Sequence, residues 1–374
     1  MKINSFKAKG FRNLKDIYFE PSEKVNVIYG ENAQGKTNLL EAMWLFTGVR
    51  SFRGGRDREF IGFDEPFTSL EMQFSDSERQ QNAKLTIPRN NIKDKKAYLN
   101  GVLQSGTSGF FGTLRCIVFS PDHLSLIKGA PDLRRKFIDT AISQIRVNYL
   151  KTLQKYNKIL VQRNALLKNI YSNRNLLSTI DMWDLQLAKV GTYLSMLRID
   201  YIEKLSVVSK EYYHGMSSGN EKLKIKYLSN AFKGLKDKVQ YTDSIIECYY
   251  NRLKSSLEND IRQGFTSIGI HRDDLCCYIN GRSARTYGSQ GQQRSAALSL
   301  KLAEAYLLRH AFCENPVILF DDVLSELDLN RQSFVLNNID NMQTFITCCD
   351  VNNTKQLKSG KIYRMYNGEL TEER

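Results

Sequence analysis

The chain has 374 residues, of which 41% are hydrophobic and 25% are charged. This balance is ordinary for a globular protein and excludes a disordered chain, a fibrous repeat and a disulfide-stapled miniprotein. Lysine and arginine number 54 against 40 aspartates and glutamates, so the formal net charge is +14. Such an excess favours a polyanionic partner, but it does not separate nucleic acid from an anionic membrane surface or from solubility alone.

No segment approaches the ~18 consecutive apolar residues of a membrane span. We therefore expect a cytoplasmic protein without a membrane partner. The cysteine count of seven is odd, and four of them form the adjacent pairs Cys276-Cys277 and Cys348-Cys349. That spacing is unlike a CxxC metal site and poorly suited to structural bridges, so the sequence predicts reduced thiols.

The first 125 residues predict strands around one helix. Lys2 to Lys7 alternates, Val25 to Tyr29 is a short apolar run, and Thr37 to Phe46 carries a helix-period apolar stripe. From Pro66 to about Val118 the pattern has period two, with Asn100-Gly101 as a hairpin turn. This part therefore predicts a strand, a glycine-bearing loop and a helix, followed by an antiparallel meander.

Two long helical patterns follow. Apolar positions between Ile142 and Ile170 step by three or four, and so do those between Trp183 and Val208. The two runs predict an antiparallel helical hairpin that is far too short to be a long coiled-coil arm.

The last third of the chain alternates strands and helices, which predicts a parallel sheet. The predicted elements are strands at 222–227, within 275–286, at 316–320, 344–347 and 362–366, and helices at 245–261, 290–312 and 325–339. A polar tail is expected after residue 366. The predicted domains are residues 1–125, a helical arm at 126–221, and residues 222–374.

A phosphate-binding loop lies between the predicted strand from Val25 to Tyr29 and the first predicted helix. It reads Gly30-Glu31-Asn32-Ala33-Gln34-Gly35-Lys36-Thr37 and matches G-x-x-x-x-G-K-[ST]. The glycines let backbone N–H groups surround phosphate oxygens at a helix N-terminus. Lys36 would reach the β- and γ-phosphates and Thr37 would ligate Mg²⁺. The alternative is a glycine-containing helix cap with an exposed lysine, and the predicted strand and helix on either side of the loop favour nucleotide binding over it.

An acidic pair at the end of an apolar strand supplies the second part of a nucleotide site. Asp321 is placed to bind Mg²⁺, directly or through water, and Asp322 to orient or deprotonate the attacking water. Alone, such a pair is more often a helix cap. Together with Lys36, it favours metal binding, so the predicted catalytic residues are Lys36, Asp321 and Asp322.

A serine and glycine open the helix at 290–312, where they would build an anion site. Ser289-Gln290-Gly291-Gln292 resembles the signature motif of ABC-type ATPases, with Gln290 where many members have glycine. Ser325-Glu326-Leu327-Asp328 resembles their D-loop.

Within that superfamily the chain is most similar to the RecF family of bacterial DNA repair proteins. The stretches that carry the resemblance are 10–14, 30–38, Phe119-Ser120-Pro121 with Pro131 and Arg134-Arg135, His271-Arg272-Asp273-Asp274-Leu275, 289–294 and 321–328. Two positions depart from the pattern. Ile270 stands where the family usually has proline, and Cys348 stands where transporter-type relatives have a switch histidine.

The resemblance implies an α/β fold: an ABC-type, SMC-like ATPase head with a mixed sheet and an antiparallel β subdomain, into which a short helical hairpin is inserted. ATP would lie between two protomers, held by Lys36 and Asp321 of one and met by Ser289 and Gly291 of the other. The implied nucleotide set also contains Arg12, Asn13, Asn38 and Gln292. The His271 to Asp274 loop would serve the nucleotide, the dimer or the fold.

The function implied by the resemblance is an ATP-dependent DNA clamp with weak DNA-stimulated ATPase activity. It would act at gapped DNA and at single-strand/double-strand junctions, and it would work with RecO and RecR to load RecA. The residues themselves show neither a junction preference nor those partners.

Positive charge is concentrated in two places. Between Ala141 and Ile180 there is no Asp or Glu, and the basic residues are Arg146, Lys151, Lys155, Lys158, Arg163, Lys168 and Arg174. Arg50, Arg53, Arg56 and Arg58 follow the first helix. We predict DNA contacts at Arg50, Arg53, Arg56, Arg146, Lys151, Lys155 and Lys158, against the alternative of solvated surfaces.

Three other functions stay open at this point. An SMC-type head would need a long coiled coil, which the short hairpin argues against. A membrane transporter's ATP-binding cassette would lack the basic hairpin. A nucleotide-gated scaffold would bind only proteins, and the charge of +14 would then serve solubility.

Overall fold

The computed structural model describes residues 1–233, 239–350 and 360–373, with the side chains of residues 171, 172 and 174 outside that description. The chain divides into two compact units, residues 1–125 with 297–374, and residues 126–296. Residues 222–296 therefore group with the helical arm, and the predicted boundary at 221/222 is not where the units divide. The reason is local pairing, since the strand at 223–228 pairs with the strand at 274–279 and packs on the long helix at 180–216.

The first unit contains an antiparallel six-stranded sheet of order β2-β1-β4-β5-β6-β7. Its strands are β1 (Lys2–Phe11), β2 (Leu14–Phe19), β4 (Phe67–Ser75), β5 (Gln80–Pro88), β6 (Lys96–Leu99) and β7 (Val102–Gln104). In β4, Leu70, Met72 and Phe74 are buried while Gln73 is exposed. One face of this sheet is thus part of the core, as the period-two pattern predicts.

The second sheet of this unit has the order β15-β14-β3-β13-β12-β8, parallel throughout except for β15. Its strands are β3 (Val25–Tyr29), β8 (Cys116–Phe119), β12 (Val317–Phe320), β13 (Thr344–Cys348), β14 (Gly360–Tyr366) and β15 (Glu369–Glu372). The predicted parallel sheet and the α/β fold class are confirmed.

Two strands differ from the prediction. All four residues of β8 are buried, and it pairs in parallel with β12, so it belongs to this core sheet and not to the meander. The expected polar tail forms β15, because Asn367 and Gly368 both adopt positive φ, 47° and 77°, and turn the chain back.

Helices complete the first unit. They are α1 (Lys36–Trp44), α2 (Pro121–Leu124), α8 (Gln290–Phe312), which begins before residue 297, and α9 (Leu329–Asn337). Helix α1 contacts β1 and β13 and therefore packs between the two sheets. The predicted helix at 325–339 is shorter, because Asp328 caps α9 by accepting from the Arg331 N–H at 3.0 Å and a separate 3-10 turn covers Leu324–Glu326.

The second unit is mainly helical. Its helices are α3 (Pro131–Ile145), α4 (Val147–Ser172), α5 (Ile180–Met216), α6 (Asp243–Gln263) and α7 (Ala284–Tyr287). A three-stranded antiparallel sheet of order β11-β10-β9 joins them, with β9 (Leu223–Leu228), β10 (Asp274–Ile279) and β11 (Arg282–Ser283). Helices α4 and α5, the two arms of the predicted hairpin, pack against each other and against α6. Within the described ranges, no helix combines the length and the apolarity that crossing a membrane requires.

Arg163 stands in the middle of the basic stretch of α4, yet its side chain is completely buried. Its Nε donates to Asp184 Oδ1 at 2.5 Å, and its Nη1 donates to Asp260 Oδ2 and to Thr266 Oγ1, both at 2.8 Å. These bonds tie α4 to α5 and α6. Arg163 is therefore opposed by two acids and does not belong to a DNA surface, which corrects its place among the seven basic residues of this stretch.

Replacement of Arg163 by methionine should lower the free energy of unfolding by about 3–5 kcal/mol, because Asp184 and Asp260 would be left buried without a counter-charge. Lys155→Met on the exposed side of the same helix is the matched control and should change it by less than about 0.5 kcal/mol. Urea denaturation followed by circular dichroism measures both. Equal effects of the two substitutions would contradict a structural role for the Arg163 ion pairs.

Candidate nucleotide site

The phosphate loop lies between the end of β3 at Tyr29 and the start of α1 at Lys36. Two of its positions require glycine. A Cβ at Gly30 would lie 2.3 Å from the carbonyl oxygen of Met365, and Gly35 has a φ of 117° that side chains disfavour. The loop is therefore pressed against β14 on one side and turns sharply into the helix on the other, as the motif predicts.

The ammonium of Lys36 is folded under this loop. Its Nζ donates to the carbonyl oxygens of Gly30 at 2.6 Å and Glu31 at 3.0 Å, and the residue is only 4% exposed. The acceptors of this buried ammonium are neutral carbonyls, and no carboxylate of the described residues forms an ion pair with it. It can bind a phosphate oxygen without first breaking an ion pair.

Asp321, the residue that follows β12, meets this loop through Thr37. The Thr37 hydroxyl donates to Asp321 Oδ1 at 2.6 Å, and Thr347 Oγ1 lies 3.4 Å from the same oxygen. Burial raises the pKa of Asp321, and the Thr37 hydrogen bond opposes that shift. The structure thus brings together the two side chains predicted to hold Mg²⁺.

Asp322, the second acid, has an unusual backbone. Its φ is 53°, and its N–H donates to Thr347 Oγ1 at 2.9 Å. Its Oδ1 is buried without a hydrogen-bond partner among the described residues. A hydroxyl and two carboxylates beside the phosphate loop fit a hard divalent cation, which takes only one or two protein carboxylates beside water and phosphate oxygens.

Arg12 and Asn13 form the turn between β1 and β2 beside the phosphate loop. Asn13 donates to the Ala33 carbonyl at 2.9 Å and accepts from Asn38 Nδ2 at 2.6 Å. Arg12 Nε lies 2.6 Å from Glu41 Oε2. The turn is therefore bonded to the loop and to α1, as expected for residues near the nucleotide.

Arg53 lies closer to α1 than its place in the predicted DNA set suggests. It donates to Asn38 Oδ1 at 2.6 Å and lies 3.6 Å from Glu41 Oε2. Its charge also lowers the pKa of Asp321, against the larger effect of burial. Sequence reasoning missed Glu41, a fully buried carboxylate that Arg12 and Arg53 share. The signal available was an acid on the apolar face of the first helix.

The thiol that reaches the phosphate loop is that of Cys349, not Cys348. Cys349 Sγ lies 3.7 Å from Lys36 Nζ and 3.2 Å from Asn32 Oδ1, and the residue is exposed. Cys348 is buried, which raises the pKa of its thiol to about 12. The position of the transporter-type switch histidine is thus taken by a buried thiol whose neighbour faces the nucleotide site.

The signature residues lie in the second unit. The Ser289 N–H donates to Gln292 Oε1 at 2.8 Å, and the Gln292 N–H donates to Ser289 Oγ at 3.2 Å. This reciprocal capping box fixes the N-terminus of α8. Ser289 is exposed and Gly291 half-buried, so the terminus is accessible to solvent.

The His271 to Asp274 loop is bonded to several elements of the second unit, and Asp273 is its buried residue. Asp274 forms a two-point ion pair with Arg134 at 2.6 and 3.0 Å. The fully buried Asp273 accepts from the backbone N–H of Asn230 at 2.6 Å and lies 3.7 Å from Arg198. These contacts favour a structural role among the three that the sequence left open.

His271 is neutral in this loop. Its Nε2 lies 2.9 Å from the Thr266 carbonyl, which can only accept, so the ring donates there and its Nδ1 accepts from the Tyr156 hydroxyl at 2.9 Å. Burial lowers the pKa of His271 from 6.5 to about 4.

The predicted DNA residues of α4 share an exposed face. Lys151, Lys155 and Lys158 are exposed, whereas the neighbouring Tyr156 and Ile159 are buried. Arg146, Arg50 and Arg56 are exposed as well.

Comparison with known proteins gives the class first. The family model described as RecF/RecN/SMC N terminal domain matches residues 2–372. A structure of an SMC head domain from Pyrococcus furiosus has a TM-score of 0.54 at 15% identity, covering 99% of this chain and 95% of the other, and so shares the fold. The chain is therefore an ATPase-head protein of the RecF/RecN/SMC class.

Closer relatives narrow this class. DNA replication and repair protein RecF of Lachnospira eligens is 36% identical over 377 residues, covering 100% of both chains. Its counterpart in Clostridioides difficile is 39% identical over 378 residues, covering 99% of this chain and 98% of the other. Solved structures of the recombination mediator protein RecF, one with ATPrS and one with ATP, match with TM-scores of 0.92 and 0.90 at 36% and 37% identity, each covering 100% of this chain and 98% of the other. The chain belongs to the RecF family, and the resemblance seen in its motifs is confirmed.

Acidification should destabilise the fold through His271. Between pH 6.5 and about 4, His271 binds a proton in the unfolded state but not in the native state. The free energy of unfolding therefore falls as the pH falls. The shift corresponds to a loss of about 3 kcal/mol over that range. His271→Gln should flatten this pH dependence, while His310→Gln at the exposed end of α8 should leave it unchanged. Urea titrations at a series of pH values measure the difference, and parallel curves for all three proteins would refute this account.

Proposed function

We propose that the chain is an ATP-dependent DNA-binding clamp of recombinational repair. The observation that carries this is the Thr37 to Asp321 hydrogen bond at 2.6 Å beside the buried ammonium of Lys36, in a chain whose relatives are RecF proteins. ATP binding would close two copies head to head on DNA, and slow hydrolysis would release them. By family, it would act at gapped or junction DNA with RecO and RecR and promote RecA loading in the cytoplasm.

The residues of the nucleotide site divide the work. Lys36 and the N–H groups of residues 30–38 would bind the β- and γ-phosphates. Thr37 and Asp321 would hold Mg²⁺, which when bound neutralises phosphate charge. Asp322, whose Oδ1 is buried and unpaired in the described structure, would orient the attacking water. Arg12, Asn13 and Arg53 would lie around the loop, and the two arginines would add positive charge.

The second half of the site would come from another copy. Ser289 and Gly291, with Gln292 closing the cap, present the exposed N-terminus of α8, which suits a γ-phosphate. ATP would then be the ligand that joins two protomers, because neither half alone encloses it. The DNA would be held by phosphate contacts from Arg50, Arg56, Arg146, Lys151, Lys155 and Lys158.

ATP should convert the 43.1 kDa monomer into a dimer of twice that mass, and ADP should not. Lys36→Arg should prevent the conversion because a guanidinium does not fit between the Gly30 and Glu31 carbonyls. Ser289→Arg should prevent it because it blocks the open N-terminus of α8. Light scattering after gel filtration measures the mass.

Ser255→Arg on α6 adds the same bulk and charge at another exposed serine and should dimerise normally. Duplex DNA binding, followed in parallel, should require ATP and decline steeply with salt. A mass and a DNA affinity that are both indifferent to ATP would refute the clamp.

Bound nucleotide should protect Cys349 from alkylation. Its thiol lies 3.7 Å from Lys36 Nζ, in the space that a phosphate would fill. ATP with Mg²⁺ should slow its reaction with N-ethylmaleimide at least tenfold, as peptide mass spectrometry would show. Cys313, also exposed, lies after α8 and is the internal control whose reaction should not change. Equal protection of both thiols, or of neither, would argue against a nucleotide at this loop.

A further inference from the structure

Two acid-free segments of the chain are joined by the sheet of the second unit. No Asp or Glu stands between Lys222 and Lys233, and none stands from Leu275 to Ala303. Strands β9 and β10 pair these segments, with Lys226 opposite Cys276 and Lys224 opposite Tyr278. Residues about fifty positions apart are thus placed side by side with no acid among them.

The two faces of this sheet differ in character. Leu223 and Ile225 of β9, with Leu275 and Cys277 of β10, are buried on one face. The alternate residues Lys224 and Lys226 are exposed on the other. Lys226 Nζ lies 5.6 Å from the centre of the Tyr278 ring, which places the lysine and the aromatic on the same side.

A third cation joins this side from α7, which contacts β10. The exposed Arg285 lies close enough to Cys276 that its charge lowers the pKa of that thiol, although burial raises it by more. We call Lys224, Lys226, Tyr278 and Arg285 the lysine face.

Its positive charge is not neutralised. Asp274, the acid at the start of β10, is held by Arg134 in a two-point ion pair. Among residues 1–233, 239–350 and 360–373, no carboxylate pairs with Lys224, Lys226 or Arg285. Three cations therefore face solvent, two from β9 and one from α7.

We propose that the lysine face is a second surface for the DNA backbone, separate from the lysines of α4. Strand geometry holds Lys224 and Lys226 about 6.8 Å apart along β9, and their flexible stems let each ammonium follow a phosphate. The surface offers charge and no fixed base-reading groups, which suits binding without sequence preference. This inference rests on the proposed function.

The test compares three double substitutions that each remove two positive charges from the second unit. They are Lys224→Gln/Lys226→Gln on the lysine face, Lys151→Gln/Lys155→Gln on α4, and the control Lys189→Gln/Lys204→Gln at exposed positions of α5. Binding of a 30-base-pair duplex is measured with ATP over a range of NaCl concentrations by fluorescence anisotropy.

In the lysine-face variant we expect the negative slope of log K against log [NaCl] to become shallower by about 1.8, since each lost phosphate contact contributes about 0.9. The α5 control should keep the slope of the unmodified chain, and Lys224→Arg/Lys226→Arg should restore it. ATP-driven dimer mass without DNA and the thermal unfolding midpoint should stay unchanged in all variants.

Several outcomes overturn the inference. If the lysine-face variant has the same slope as the unmodified chain, the lysines do not contact DNA, and they serve solubility or bind an acidic protein. If the slope becomes equally shallow in the α5 control, the effect follows from net charge alone. If the lysine-face variant no longer forms the ATP-driven dimer, the lysine face is an assembly surface. If the unmodified chain binds no DNA with ATP, the proposed function itself fails, which is distinguishable because the other outcomes require that binding.

Discussion

The hydrogen bond between Thr37 and Asp321 depends on the parallel order of three strands. Strand β13 lies between β3 and β12, so the carboxyl ends of all three meet at one edge of the sheet. That edge receives the phosphate loop after β3, the acidic pair after β12, and Thr347 with Cys348 and Cys349 from β13. In open α/β sheets this edge is the general position of ligand sites. The nucleotide chemistry follows from strand order as much as from the motifs themselves.

Buried charge organises both units in the same manner. Glu41 in the first unit and Asp184, Asp260 and Asp273 in the second are fully buried, and arginines oppose all of them. Removal of one partner from such a pair costs several kcal/mol of stability, because the other charge is left buried without a counter-charge. These pairs also reduce the number of basic residues that can bind a polyanion, since arginines that pair with buried acids are not available at the surface.

Local motifs in the sequence predict the chemistry of the phosphate loop, of the acidic pair and of the N-terminus of α8. The phosphate loop, the acidic pair after β12 and the motif that begins at Ser289 are each a continuous stretch of sequence, and each needs only a strand or a helix beside it. Pairing between distant segments was not visible in the same way. Strand β8 alternates poorly, yet only its partner β12 shows that it joins the parallel sheet. Arg163 looked like one basic residue among seven, and the acids that neutralise it come 21 and 97 positions later. The basic stretch around Arg53 predicts a DNA contact, whereas in the structure Arg53 contacts Asn38 and the buried Glu41.

The capping box of α8 is hydrogen-bonded to the segment that leads into β9. Gln292 closes the cap through its Oε1, and its Nε2 donates to Glu221 Oε1 at 2.5 Å. Glu221 also accepts from the Tyr213 hydroxyl at 2.5 Å and stands directly before Lys222, from which the chain enters β9. One glutamine side chain therefore bonds both to the N-terminus of α8 and to a residue just before β9, the strand that carries Lys224 and Lys226. If Ser289 contacts the γ-phosphate as proposed, the two hydrogen bonds of Gln292 connect that contact to the segment that leads into β9.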